Sequence, residues 1–165
     1  MCSKFIKKEL ILSLLMFVFK RGMVFLSKND TEFIKLIKDL PERFSFLMTV
    51  RNTNLRVSMK KSNGVLIYAK NQKEFDLILE FSNLCSAFLV FAGFMPQYQA
   101  FSEHRLSIKG NISDALCLTD AINRLQAVIF PDIISKKLIK EFEGSSLKEK
   151  SLFAKFYLYA LLLSR

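Results

Sequence analysis

The spacing of apolar residues changes several times along the chain. Residues 4–26 are apolar on nearly all sides of a helix. Thr31 to Leu40 predicts a short second helix. Asp30 stands where it can cap the start, Phe33, Ile34 and Ile37 share a face, and Pro41 ends it. The period then falls to two. Phe44, Phe46, Met48 and Val50 alternate with other residues, and Leu55, Val57 and Met59 alternate with Arg56, Ser58 and Lys60. Asn52-Thr53-Asn54 is a turn between these strands. Ser62-Asn63-Gly64 is a stronger one, because Asn-Gly tolerates positive φ. Val65 to Lys70 completes a three-strand meander. Phe75, Leu77, Leu79 and Phe81, alternating with Asp76, Ile78 and Glu80, predict a fourth strand.

Ser82 or Asn83 can cap a helix that runs to Phe91 or Ala92 and stops near Gly93 and Pro96. A helical turn through Gln97–Glu103 leads to a fifth strand, in which Leu106 and Ile108 oppose Arg105, Ser107 and Lys109. Gly110-Asn111 ends it. Ser113 is placed to cap a helix from Asp114 to Ile129 with Leu116, Ile122 and Leu125 inward. Pro131 starts another helix bearing Ile133, Ile134, Leu138 and Phe142, Gly144-Ser145-Ser146 breaks it, and a last helix follows. Strands clustered in sequence predict an α+β fold, with a sheet covered on one side and partly wet on the other. No repeat or long linker divides the chain. The reading is one domain over 1–165, with N-terminal helices in 1–43, a core in 44–131 and C-terminal helices in 132–165.

Composition and charge sharpen this picture. The 165 residues are 51% hydrophobic and 24% charged, enough apolar material for a full core. Phe dominates, with 17 against 4 Tyr and no Trp, so the bulky surface carries few polar handles. The net charge of +10 is concentrated at the ends. Residues 1–28 hold six Lys/Arg and one Glu, residues 136–165 hold seven Lys/Arg and three Glu, and the middle is nearly neutral. Basic ends that are also apolar suit an anionic membrane surface better than nucleic acid. Leu10 to Phe19 is too short to cross a bilayer as a helix, Lys20 and Arg21 follow it directly, and no small-x-small cleavage site appears. Phe156 to Leu163 is shorter still. Both ends read as helices, packed on the domain or a partner subunit or resting in a lipid interface. The three cysteines, Cys2, Cys85 and Cys117, have no metal spacing. They read as free thiols in a reducing, cytoplasmic compartment.

Signs of catalysis are sparse. His104 is the only histidine and reads as a strand-start residue. Cys85 reads as a buried small apolar side chain, although the pair could meet as thiol and imidazole. The five glycines each stand alone, so no loop cradles a phosphate. Asp76 and Glu80 read as exposed surface charge. No catalytic or metal-binding residue and no cofactor is predicted, and the chain reads as a non-enzyme.

The stretch from Phe75 to Pro131 resembles the sterol carrier protein-2 lipid-binding family. An aliphatic strand leads directly into a helix ending with Ala92-Gly93. Gln99-Ala100-Phe101 resembles the family's Ala-Phe pair. Arg105 to Asn111 is similar to its last strand and closing glycine, Gly110, and Ala115, Leu116 and Leu118 open the next helix. The meander from Phe44 to Lys70 is similar to its early strands, so the resemblance covers roughly 44–131. The chain departs from the family at His104, where many members carry glycine or another small residue. It also adds apolar helices at both termini, and such a helix can plug the two-ended tunnel of some members.

The resemblance implies a five-stranded, mainly antiparallel sheet covered by helices, with an apolar cavity between the layers. Members bind sterols, fatty acids, acyl-CoAs or other lipids non-covalently, and some bacterial members serve isoprenoid-quinone biosynthesis. The chemistry of the residues agrees: Leu77, Leu79, Phe88, Phe91, Met95, Phe101 and Ile108 are suited to line such a pocket. The expected function is lipid binding or transfer by a monomer or homodimer, peripheral to the membrane, with no nucleic-acid partner. The alternative is an accessory protein with a filled core, such as a helper in lipid or quinone biosynthesis, acting through dimer or partner contacts.

Overall fold

A computed structural model describes residues 2–129. The expected helices from Pro131 onward, including Phe156 to Leu163, lie outside the described residues. The elements follow in the order α1 (Cys2–Asn29), α2 (Thr31–Lys38), β1 (Ser45–Val50), β2 (Arg56–Ser62), β3 (Val65–Tyr68), β4 (Leu77–Phe81), α3 (Leu84–Phe91), α4 (Gln97–Ser102), β5 (Leu106–Gly110) and α5 (Ile112–Ile129). The strands form one sheet in the order β3-β2-β1-β4-β5. Three pairings are antiparallel and one, β1 with β4, is parallel. The fold is thus α+β with a mainly antiparallel sheet.

Period-two patterning decides which face of the sheet is covered. Phe46, Met48 and Val50 of β1, Val57 and Met59 of β2, and Leu77, Leu79 and Phe81 of β4 are buried. The intervening Thr49, Ser58, Ile78 and Glu80 are only half-buried. α1 contributes Leu12, Met16, Phe19, Met23 and Leu26 to the same apolar cluster, where they join Leu84, Val90 and Phe91 of α3 and Leu118, Ile122 and Leu125 of α5. Each large side chain buried this way stabilises the fold by about 1.5–3 kcal/mol.

Helix α1 runs past the expected Phe25–Leu26 boundary because nothing breaks it before Asp30. Its last turn, residues 22–27, is buried all round. The Ser27 hydroxyl accepts from the Leu66 amide at 3.1 Å, tying α1 to β3. Asp30 caps α2 as expected, accepting from the Glu32 amide, and its other carboxylate oxygen accepts from Arg124 Nε at 2.8 Å. One 5%-exposed carboxylate therefore joins the α1–α2 corner to α5. The buried Lys61 closes the far end of α2: its ammonium donates to the carbonyls of Lys38 and Leu40 at 3.1 and 2.6 Å. Cations favour a helix C-terminus, where the last carbonyls lack partners.

Several local expectations are corrected. β4 begins at Leu77 rather than Phe75, because the Asp76 carboxylate takes the Ser45 amide and hydroxyl at 2.8 and 2.7 Å. α5 begins at Ile112, and its cap is Asn111, whose side chain accepts from the Ser113 amide at 2.8 Å; Ser113 is inside the helix. Leu116 points outward and is 62% exposed, whereas Leu118 takes the inward position. Ile34 sits at the exposed rim of α2, with only Phe33 and Ile37 buried. The Asn63-Gly64 turn forms as expected, with both residues at positive φ.

Gly110 stands opposite Leu77 in the sheet, with φ +131. A Cβ there would collide with the Asp76 carbonyl oxygen, which is backbone and cannot swing away. Gly64, also at positive φ, has open space around it. Gly110→Ala is expected to lower unfolding stability by about 2–4 kcal/mol, and Gly64→Ala by about 1 kcal/mol. Urea titration of both variants measures the difference, and equal losses would contradict the close approach.

Candidate functional site

The apolar layer between sheet and helices is framed by α3. Asn83 caps this helix, accepting from the Ser86 amide at 2.9 Å and the Ser86 hydroxyl at 3.1 Å. The chain leaves the helix through Gly93, at φ +74, whose amide donates to the Val90 carbonyl. This directs Leu84, Ala87, Val90 and Phe91 toward the sheet. Of the residues expected to line a pocket, Leu77, Leu79, Phe91 and Met95 are buried in one cluster, and Ile108 packs partly buried against it. Phe88 is half-buried, its ring centroid 6.4 Å from that of Phe94. Phe101 lies on α4 and is 53% exposed, outside the buried layer.

The layer is occupied by the protein itself. Phe19 of α1 meets Phe91 edge-on at 4.9 Å, and Phe91 meets Phe81 of β4 at 5.6 Å. Such ring contacts favour close interlocking over open space. The Gln97 side chain, on the inward face of α4 with Ala100, is 3% exposed, and among the described residues its Nε2 has no hydrogen-bond partner. An unmet buried donor costs about 1–3 kcal/mol. The other buried glutamine, Gln126, donates to the Val90 carbonyl at 2.7 Å.

Groups that might do chemistry are turned to other uses. His104 is exposed, at φ +56, in the turn between α4 and β5 rather than at a strand start. Its amide donates to the Phe101 carbonyl and the Arg105 amide to that of Ala100, a Schellman closure of α4. Glycine is the usual residue at such a left-handed position, and His104 fills it here. Glu103 is the C-cap of α4, not a strand residue. Hydrogen bonds from Gln99 and then Arg105 hold its carboxyl below the usual range. Cys85 is exposed rather than buried, and no hydrogen bond joins it to His104 among the described residues. Burial pushes the Cys117 thiol above its ordinary pKa, and Asp39, Asp114 and Asp120 push the same way, so it is a poor nucleophile at neutral pH. Asp76 is held by Ser45, and Glu80 is paired with Arg51 at 3.0 Å. Among the described residues no group of three or more His, Cys, Asp or Glu is placed to hold a metal ion.

Two polar clefts open outside the layer. One, of about 380 Å³, lies where β3 ends and is lined by Lys20, Arg56, Ser58, Tyr68, Lys70 and Asn71, among others. The second, of about 640 Å³, gathers Arg43, Lys73, Glu74 and Asp76 near the start of β4. Neither was legible in the sequence, because their residues come from distant segments. Gln97 had a signal, as a polar residue three before Ala100 on the face that α4 turns inward.

No family model matches the sequence, and no curated protein matches it. Among solved structures, the chain is similar to the sterol carrier protein domain 2 of Helicoverpa armigera at 20% identity and a TM-score of 0.47, over 67% of this chain and 87% of that one. It is similar to sterol carrier protein 2 from Yarrowia lipolytica, in its apo form, at 18% identity and a TM-score of 0.44, over 67% and 88%. It is also similar to the UbiJ-SCP2 ubiquinone synthesis protein at 11% identity and a TM-score of 0.46, over 74% and 97%. These are domains of the family that residues 44–131 resemble. At such values the likeness assigns neither ligand nor activity.

The turn geometry gives His104 a testable role. His104→Gly is expected to retain or raise stability, by up to about 1 kcal/mol, and the β-branched His104→Val to lower it by about 1–2 kcal/mol. Thermal unfolding of the two variants reads the order, and a reversed order would show that the imidazole itself matters.

Proposed function

We propose that this chain is a non-enzymatic lipid-binding protein. It takes the apolar part of a sterol-, fatty-acyl- or isoprenoid-type lipid into the layer beneath α3, and collects it at or near an anionic membrane surface from the cytoplasmic side. The observation that carries this reading is Gln97 Nε2, a buried donor on α4 with no partner among the described residues, which a lipid hydroxyl, carbonyl or carboxylate oxygen would satisfy. The walls support it, since Leu77, Leu79, Phe91 and Met95 present no polar atom that a hydrocarbon would strand.

Entry requires α1 to yield. Withdrawing Met16, Phe19 and Met23 gives up about 5–9 kcal/mol of burial. An acyl chain that buries about ten CH₂ groups returns about 8 kcal/mol. The exchange is therefore close to balanced, and a lipid interface receiving the side chains of α1 tips it toward loading. A second reading, an accessory protein with a filled core acting through dimer or partner contacts, is favoured by the Phe19–Phe91–Phe81 ring cluster.

The first reading expects lipid to co-purify with the protein and to be identified by mass spectrometry of an organic extract, together with saturable binding of a long-chain fatty acid or isoprenoid alcohol. Gln97→Leu is expected to weaken that binding about three- to tenfold without loss of stability. Phe19→Ala is expected to strengthen it, by removing the competing ring. A preparation with no bound lipid and no saturable binding in either variant leaves only the filled-core reading.

A further inference from the structure

The outer face of α1 is apolar as well as the inner one. Leu10, Ile11, Leu14 and Phe17 are exposed between 43% and 71%, on the side away from the buried Leu12, Met16 and Phe19. This stripe leads to cations. Arg21 lies over the Phe17 ring at 4.6 Å. The Lys20 ammonium lies 5.8 Å from the same ring and 4.9 Å from the ring of Tyr68, at the end of β3. Lys20 and Tyr68 in turn line the cleft of about 380 Å³ that they share with Arg56 and Lys70. Its lining holds three cations and no carboxylate, with Ser58, whose hydroxyl donates to the Ala69 carbonyl at 3.1 Å, and Asn71 beside them. Glu80, which shares Thr49 as register partner with Arg56 across the sheet, is already paired with Arg51.

We propose that this cleft is a binding site for the phosphate of an anionic phospholipid headgroup in a bilayer, with the Leu10–Phe17 stripe lying in the acyl boundary beside it. An apolar helix face bordered by cations that also order its aromatic ring fits a lipid interface. Lys and Arg then act near the negative surface rather than inside the hydrocarbon. Glu9–Asn29 is long and apolar enough to cross a membrane by length and composition, and half of that window is buried inside the protein, which suits a helix lying at the interface. The inference rests on the membrane-side part of the function proposed above and is independent of what fills the apolar layer.

The test is co-sedimentation of the full chain with phosphatidylcholine vesicles, with and without phosphatidylglycerol. Arg56→Gln with Lys70→Gln is expected to weaken partitioning to the anionic vesicles about 25-fold, at roughly fivefold for each cation. Lys73→Gln with Lys109→Gln removes the same charge elsewhere and is expected to weaken it less than about threefold. Leu14→Gln, at an exposed position, is expected to weaken it without changing stability. Fatty-acid titration of the cleft double variant is expected to match the parent protein, which separates this site from the ligand layer. Equal losses in the two double variants, equal binding to vesicles without phosphatidylglycerol, or glycerol phosphate binding the cleft as tightly as vesicles do would each overturn the proposal.

Discussion

The structure depends on covering one face of a five-stranded sheet. The buried side of β1, β2 and β4 is almost wholly apolar, from Phe46 and Met48 to Leu79 and Phe81. Left wet, that face would forfeit the largest favourable contribution to folding. α3, α4 and α5 follow β4 in sequence: α3 packs on α4 and β4, α4 and α5 pack on β5, and α5 also packs on α1 and α2. The half of the sheet made of β2 and β3 is covered by α1. That helix is anchored at several points along its C-terminal half: Met23 and Leu26 sit in the cluster, Ser27 bonds to Leu66, and Asp30 bonds to Arg124. These contacts fix how far α1 stands from α3, and so how much space remains in the layer between them.

Much of this was legible because the fold uses strict periods. The alternation Phe44, Phe46, Met48, Val50 marks the inner face of β1, and Asn63-Gly64 marks the tight turn, since both depend only on near neighbours. The capping of α5 was not, because Asn111 and Ser113 are both competent acceptors and the choice follows from how Gly110 leaves the sheet beside Asp76. Leu118, Ile122 and Leu125 share the inward face at i, i+4 and i+7, and Leu116, two residues and about 200° from Leu118, falls on the opposite one. Of the proposed pocket residues, those on β4 and on the inner face of α3 were readable from period alone. Phe101 was misjudged because α4 is a single short helix whose orientation is set by Pro96 and by the Schellman closure at His104, neither of which carries a hydrophobic period.

The two buried glutamines show how a polar group marks a site. Gln126 and Gln97 are both nearly inaccessible, yet Gln126 donates to a helix carbonyl while Gln97 Nε2 has no partner among the described residues. A satisfied amide of the first kind stitches α5 to α3 and is part of the scaffold. A group of the second kind is a standing cost, and natural interiors hold few of them.

The filling of the layer by Phe19 and the lipid-binding reading are compatible because of the composition of α1. An ordinary amphipathic helix that left the sheet would carry its apolar face into water, at several kcal/mol for the side chains exposed. α1 has apolar side chains on both sides over Leu10 to Phe19, and cations at Lys20 and Arg21 where that stretch ends. At a lipid surface, its withdrawn side chains exchange one apolar environment for another, so the penalty that would hold the helix shut in solution largely disappears. On the lipid-binding reading proposed above, the same segment would close the apolar layer in water and give it up at a membrane.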